Sequence, residues 1–138
     1  MKPTYVQLDD NTIMCVLRDK ANNIVKGYAT CHPEEPHYSQ RVGEYIATIR
    51  AEIEYYKFIR RYEIRPQLKA LKHTYSCLTT TGSKEYRTDS PETRLVRRHY
   101  WLMKEDYDNL GEIIKELEAA LANYLATRDS LVGQKKEN

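Results

Sequence analysis

No stretch of about twenty apolar residues occurs in this chain, so no membrane-spanning helix is expected. No apolar signal region follows the start, Met1-Lys2-Pro3-Thr4-Tyr5, and a cytosolic protein is expected. Cysteine is scarce. Cys15, Cys31 and Cys77 make an odd number with no close pair, which points to free buried thiols rather than a disulfide framework. Phenylalanine and tryptophan occur once each. There is no glycine-rich phosphate loop, no serine elbow and no His-Glu-x-x-His helix, so the familiar catalytic signatures are missing. Internal repeats and low-complexity tracts are missing too. Nor is there an excess of one charge: 22 Lys and Arg against 20 Asp and Glu leave +2. That balance argues against a general polyanion binder, nucleic acid included, although local clusters can hide beneath the average.

What is present suits one domain spanning 1–138. Hydrophobic residues make up 41%, enough for a modest core, and the 30% that are charged imply a largely polar surface. The aromatic content is carried by twelve tyrosines. Tyrosine buries a ring while keeping a polar tip, which fits either the rim of a narrow core or an interface or cleft.

The strongest periodicity lies near the end. Val96, Tyr100, Met103, Tyr107, Leu110, Ile114, Leu117, Leu121 and Tyr124 are spaced four and three apart throughout, which puts all nine on one stripe of a helix. So long a helix needs a partner surface, either a second helix of the chain or another copy. Ser90 can cap its start, Pro91 fits the first helical position, and Glu92 meets the positive end of the dipole. The spacing predicts this helix over 91–131, with a frayed tail at 132–138. Gly111 within it marks a kink or a close backbone approach.

Residues 4–31 read as a β-meander. Tyr5–Leu8, Thr12–Arg18 and Ile24–Cys31 are rich in strand formers and are separated by Asp- and Asn-rich turns. Three short strands need one face covered. His32-Pro33-Glu34-Glu35-Pro36 breaks the sheet. Ser39 can then cap a helix over 39–63, in which Val42, Ile46, Ile49, Ile53 and Tyr56 repeat at four and three. Pro66 interrupts that helix or starts a further short turn through Leu68 and Leu71. Residues 74–90 favour extended structure and an irregular hairpin. The expected fold is therefore α+β: a small antiparallel N-terminal β-sheet packed on two long antiparallel α-helices, with an irregular hairpin between the helices.

Chemistry has few places to sit. Cys31, His32, His37, His73 and Cys77 could ligate a metal, but their spacings match no common zinc pattern, and loop histidines with core thiols explain them as well. Glu34 and Glu35 could do acid work, yet adjacent surface glutamates are usually solvated. Cys77 and His73 could pair as nucleophile and base, but a separation of four proves little. The sharper feature is basic and aromatic. Tyr86 and Arg87 precede the long helix, and Arg94, Arg97, Arg98, Tyr100 and Trp101 lie in its first turns. Arg94, Arg98 and Trp101 share a face. A guanidinium grips phosphate in a fork and an indole stacks on a base, so the group suits a nucleotide-like ligand. It is equally read as a solvated charged turn with Trp101 covering the sheet. A second basic group, Arg50, Lys57, Arg60, Arg61 and Arg65, includes a solvent face. Arg60 and Arg128 each continue an apolar stripe by a step of four, where a charge needs a partner anion or a helix end.

Gly27-Tyr28-Ala29-Thr30-Cys31-His32-Pro33-Glu34-Glu35, followed by a helix carrying Gly43, Ile46, Ala47 and Arg50, is similar to a short signature of small phage-encoded proteins. With its order of sheet, helix, irregular hairpin and long helix, the chain resembles the first family of Thoeris anti-defence sponges. The resemblance implies a protein that is not an enzyme and has no cofactor. Such proteins bind the cyclic ADP-ribose isomer made by a bacterial TIR-domain sensor and hold it intact in the host cytoplasm, so the immune effector never receives its signal. Family members are homodimers with pockets at the subunit interface, and some assemble further and also hold cyclic oligonucleotides. No pocket residue transfers one for one. The candidates for phosphate and base contacts come from the residues themselves: Arg94, Arg97, Arg98, Trp101, Tyr86, Arg87 and Arg128. The competing expectation is a helical interaction protein that inhibits a host protein by coiled-coil-like docking. A nucleic-acid binder and an enzyme of unfamiliar chemistry stand behind these two.

Overall fold

The computed structural model describes residues 1–30, 39–80 and 90–137. The fold is α+β, with a three-stranded antiparallel sheet at the N-terminus followed by helices. The strands are β1 (Thr4–Gln7), β2 (Thr12–Arg18) and β3 (Ile24–Thr30), in spatial order β1-β2-β3. The helices are α1 (Gln40–Phe58), α2 (Arg65–Thr80), joined to α1 by a π-helical turn at Ile59–Ile64, and α3 (Pro91–Glu137). The chain divides into two compact units, Met1–Tyr56 with Ile114–Asn138, and Lys57–Ile113. Among the described residues no helix is long and apolar enough to cross a membrane.

In the first unit the sheet alternates as a half-covered sheet must. Ile13, Cys15 and Leu17 of β2 are buried, and register sets them opposite Ala29, Gly27 and Val25 of β3, which are buried too. α1 covers this face at close range. A Cβ on Gly27 would run into the backbone carbonyl of Ala47 and the amide of Ala51, so only glycine fits. Ala47 and Ala51 are wholly buried. Polar bonds fix the helix over the strands. The hydroxyls of Tyr5 and Thr48 lie 2.7 Å apart, Arg50 donates to the Tyr28 carbonyl at 2.7 Å, and Tyr55 donates to Asp19 at 3.2 Å. Asp19 organises the β2–β3 turn by accepting from the amides of Ala21 and Asn23 and from the Asn23 side chain. The Asn23 side chain leads these bonds in holding the Asp19 carboxyl below its ordinary pKa, against an opposing desolvation. Asn22 takes a positive φ of 65°, which asparagine tolerates. Burial pushes the Cys15 thiol above its ordinary pKa, with the Thr48 hydroxyl opposing.

Both helix starts form as their capping residues require. Ser39 Oγ accepts the Val42 amide at 3.1 Å, and Ser90 Oγ accepts the Thr93 amide at 3.1 Å, with Pro91 opening α3. All nine stripe residues of α3 are buried or half-buried. Within each unit that stripe meets the preceding helix running the other way. In the first, Tyr45 packs edge-on against Tyr124 with ring centres 5.4 Å apart, while Glu118 shares a cavity with Arg50, Ile53 and Glu54. In the second, Arg60 lies on Tyr107, and Lys72 and Tyr75 stand beside Arg97 and Tyr100.

The helix after Tyr56 departs from the expected boundaries. It does not end near residue 63, and residues 74–80 are helical rather than extended. The Arg65 amide bonds to the Arg60 carbonyl, the five-residue step of a π turn. Pro66 accounts for it. Proline has no N–H, and in an α-helix its ring would press on the carbonyl four residues back, whereas a widened turn makes room. The turn also inserts one residue into the apolar rhythm. Continued without a skip, the stripe of α1 would reach Glu63, Gln67, Ala70, Thr74 and Cys77, all of which are exposed. One residue on, Ile64 is buried and Leu68, Leu71, Tyr75 and Leu78 are half-buried. Thr74 and Thr79 satisfy their hydroxyls on the carbonyls of Ala70 and Tyr75, both at 2.9 Å, which removes the local objection to helix. The rest of the expected hairpin, 81–89, and the Pro33–Pro36 break lie outside the described residues. At the other end α3 continues to Glu137, so the tail expected from 132 is helical through Glu137.

Candidate functional site

The first turns of α3 carry the group. A helix advances about 100° per residue, so Arg94, Arg98 and Trp101 fall on one face, with Arg97 just beside it. That face points away from the stripe formed by Val96, Tyr100 and Met103. The three arginines are exposed, and among the described residues no side-chain hydrogen bond or ion pair holds their guanidinium groups. Trp101 is 61% exposed, so it does not serve as a cover over apolar residues.

Arg94, Arg97, Arg98, Trp101, Leu102 and Glu105 line a depression of about 430 Å³. On its flank a second one, of about 320 Å³, is lined by Lys72 and Tyr75 of α2 with Arg97, Tyr100 and Trp101 of α3. Arg97 and Trp101 are common to both. Four cations thus face a single carboxylate, Glu105. Three aromatic rings stand among them, and Tyr100 and Trp101 are nearly perpendicular, with centres 5.6 Å apart. Donor-only side chains with flat rings suit an anion that carries an aromatic system. The depression in the first unit, about 540 Å³, is different: Lys26 and Arg50 are matched there by Glu54 and Glu118, so it has no bias toward an anion.

The other candidates divide. Tyr86 and Arg87 lie outside the described residues. Arg128 belongs to the first unit, whereas Arg94 to Trp101 belong to the second. The second basic group divides: Lys57, Arg61 and Arg65 are exposed, as a solvent face would be, while Arg50 and Arg60 are held by the scaffold. Arg50 is committed to the Tyr28 carbonyl. Arg60 donates to the Tyr107 carbonyl at 2.9 Å and lies 3.8 Å over the Tyr107 ring. This relieves a charge in stripe register with neither an anion nor a helix end. Gly111 allows it, because a Cβ there would stand 3.1 Å from the Arg60 guanidinium. Arg61 lies 5.4 Å from the centre of the Tyr62 ring.

Of the thiols, Cys15 is buried and Cys77 is exposed, contrary to the expectation that all are buried; Cys31 lies outside the described residues. Cys77 Sγ is 3.6 Å from His73 Nε2. Among the described residues no three His, Cys, Asp or Glu side chains come together as a metal site would need.

The sequence pattern does not point to Lys72 and Tyr75, because Lys72 lies beyond the end expected for the first long helix and Tyr75 lies in a stretch whose residues favour extended structure. The signal that could have found them is the stripe that resumes one residue late at Ile64. Comparison with protein-family models, with curated proteins and with solved structures finds no match to this chain.

Proposed function

We propose that this protein binds a cyclic ADP-ribose-type signalling nucleotide and sequesters it unchanged, as a phage-encoded anti-defence protein acting against TIR-dependent Thoeris immunity in the host cytoplasm. The observation that carries the reading is the gathering of Arg94, Arg97 and Arg98 with exposed Trp101 in one depression. Guanidinium forks match phosphate oxygens, and an exposed indole offers a face to a base. A sponge needs affinity and retention rather than a reactive group. Cyclic oligonucleotides present the same two features and are the natural second ligand class.

Self-association belongs to the same proposal. Leu95 and Leu102, one heptad apart, are 68% and 54% exposed and flank the arginine face on the side away from Tyr100. The exposed surface of α3 is basic at Arg94, Arg97 and Arg98 and acidic at Glu105 and Asp106, while Asp108 is ion-paired with Lys104 at 3.0 Å. An antiparallel copy would bury these two leucines against their counterparts and leave the arginine face to the ligand. The same two leucines favour the second reading, a helix face that docks on a host protein.

Calorimetry with cyclic ADP-ribose, followed by denaturation and mass analysis of the released ligand, tests the first reading. Stoichiometric binding with the ligand recovered intact is expected, as is at least a tenfold loss of affinity on Arg94→Ala with Arg98→Ala, at about 1.4 kcal/mol per tenfold. Turnover of the ligand would end the sponge reading. The docking reading instead expects inhibition to survive those changes and to be lost on Leu95→Asp, at a residue that lines neither depression.

A further inference from the structure

We infer that the arginine–tryptophan face is half of a two-part site, and that Lys72, Tyr75 and Tyr100 form the other half, a slot for the flat ring of the same anionic nucleotide. This rests on the nucleotide reading above and divides the ligand between two walls. The depressions adjoin, because Arg97 and Trp101 line both. Their linings differ in kind. Three arginines surround the first, as a phosphate group requires. The second has Tyr75, Tyr100 and Trp101 around it, with Lys72 at its edge. Tyr100 and Trp101 meet at 80°, so they form a corner and do not stack on each other. A base entering that corner meets ring surface on more than one side, while Lys72 and Arg97 donate to its acceptor atoms.

Size points the same way. At about 320 and 430 Å³, each depression stands at the small end of the range for ligand clefts, roughly 300–1,000 Å³. A ring fits one and a phosphate group the other, with Arg97 at the junction where a phosphate next to the ribose would lie.

The test titrates the full chain with adenosine, inorganic pyrophosphate and ADP-ribose, by calorimetry and by quenching of its single tryptophan, Trp101. ADP-ribose, which engages both halves, is expected to bind more tightly than either fragment. The quantity read is the ratio of adenosine to pyrophosphate affinity, because partial unfolding of a variant moves both probes together. Tyr75→Ala is expected to lower that ratio about tenfold, the size of one lost stacking partner. Lys72→Ala, at an exposed position, lowers it in the same direction, and Tyr75→Phe, which keeps the ring, restores it. Arg94→Ala with Arg98→Ala raises the ratio about tenfold. If the wild-type chain binds ADP-ribose but both sets of variants move the ratio alike or not at all, the division is overturned and the nucleotide reading stands. If the wild-type chain binds none of the three and cyclic ADP-ribose does not bind either, the nucleotide reading falls and the division falls with it; if cyclic ADP-ribose alone binds, the division is overturned and the nucleotide reading stands.

Discussion

Two glycines show how the same residue type serves different ends. Gly27 faces backbone: a Cβ there meets the Ala47 carbonyl and the Ala51 amide, neither of which can move without shifting α1. Gly111 faces the end of a flexible side chain, the Arg60 guanidinium, which can give by a few tenths of an ångström. Gly27→Ala is therefore expected to cost ~3 kcal/mol or more in urea unfolding, as overpacking against rigid atoms does. Gly111→Ala regains about 1 kcal/mol of helix propensity and loses part of it to crowding. Its net effect is expected to stay within about 1 kcal/mol of zero. A large loss at Gly111 with none at Gly27 would contradict the packing of both. The chain alone marked Gly111, because glycine inside a strong helical stripe stands out. Gly27 gave no such mark, since a glycine in a short strand has several ordinary reasons to be there.

Among the elements, the π turn decides the most. It absorbs Pro66 and moves Leu68, Leu71, Tyr75 and Leu78 by one position into the line begun by Val42. Deleting Glu63, an exposed residue, together with Pro66→Ala should close the turn into ordinary α-helix and keep the apolar line continuous. That double change is expected to leave the melting temperature within a few degrees of wild type, a shift of roughly 1 kcal/mol. Deleting Glu63 alone leaves a proline inside an α-helix and should cost ~3 kcal/mol. A double variant that unfolds while the single deletion does not would show that the turn has another cause. The strands, both caps and the stripe of α3 could be read from residue order, because each depends on near neighbours. The helix at 74–80 is hidden in the sequence because its β-branched threonines favour extended structure and its apolar rhythm has slipped by one residue.

For the molecule as a whole, the question is what meets the outer face of α3. The long stripe from Val96 to Tyr124 is buried or half-buried within the chain, with Tyr124 packed on Tyr45 and Tyr107 under Arg60, and the leucines on the outer face are more exposed than any of its residues. Buried Ile114 belongs to that stripe, and a charge there tests stability rather than assembly. Leu95 and Leu102 remain exposed, beside arginines followed by carboxylates. Light scattering is expected to give at least twice the 16.3 kDa of one chain, and Leu102→Asp is expected to return it toward 16.3 kDa while leaving the helical circular dichroism intact. A wild-type mass of 16.3 kDa would remove the self-association proposal and leave the ligand question to the titrations.

Residue order settled the α+β class, the strand pattern, the capped helix starts and the presence of an arginine–tryptophan face, all of which arise from spacing along one element. Tertiary structure decided three things that spacing does not contain. It placed Arg60 on Tyr107, so a charge in stripe register that was expected to need an anion or a helix end is met by a carbonyl and a ring. It placed Lys72 and Tyr75 beside Trp101, because the π turn sets which face of α2 meets α3. It left Leu95, Leu102 and Trp101 in solvent, because a helix has room for one buried stripe against one partner, and in this chain the other stripe residues already fill it.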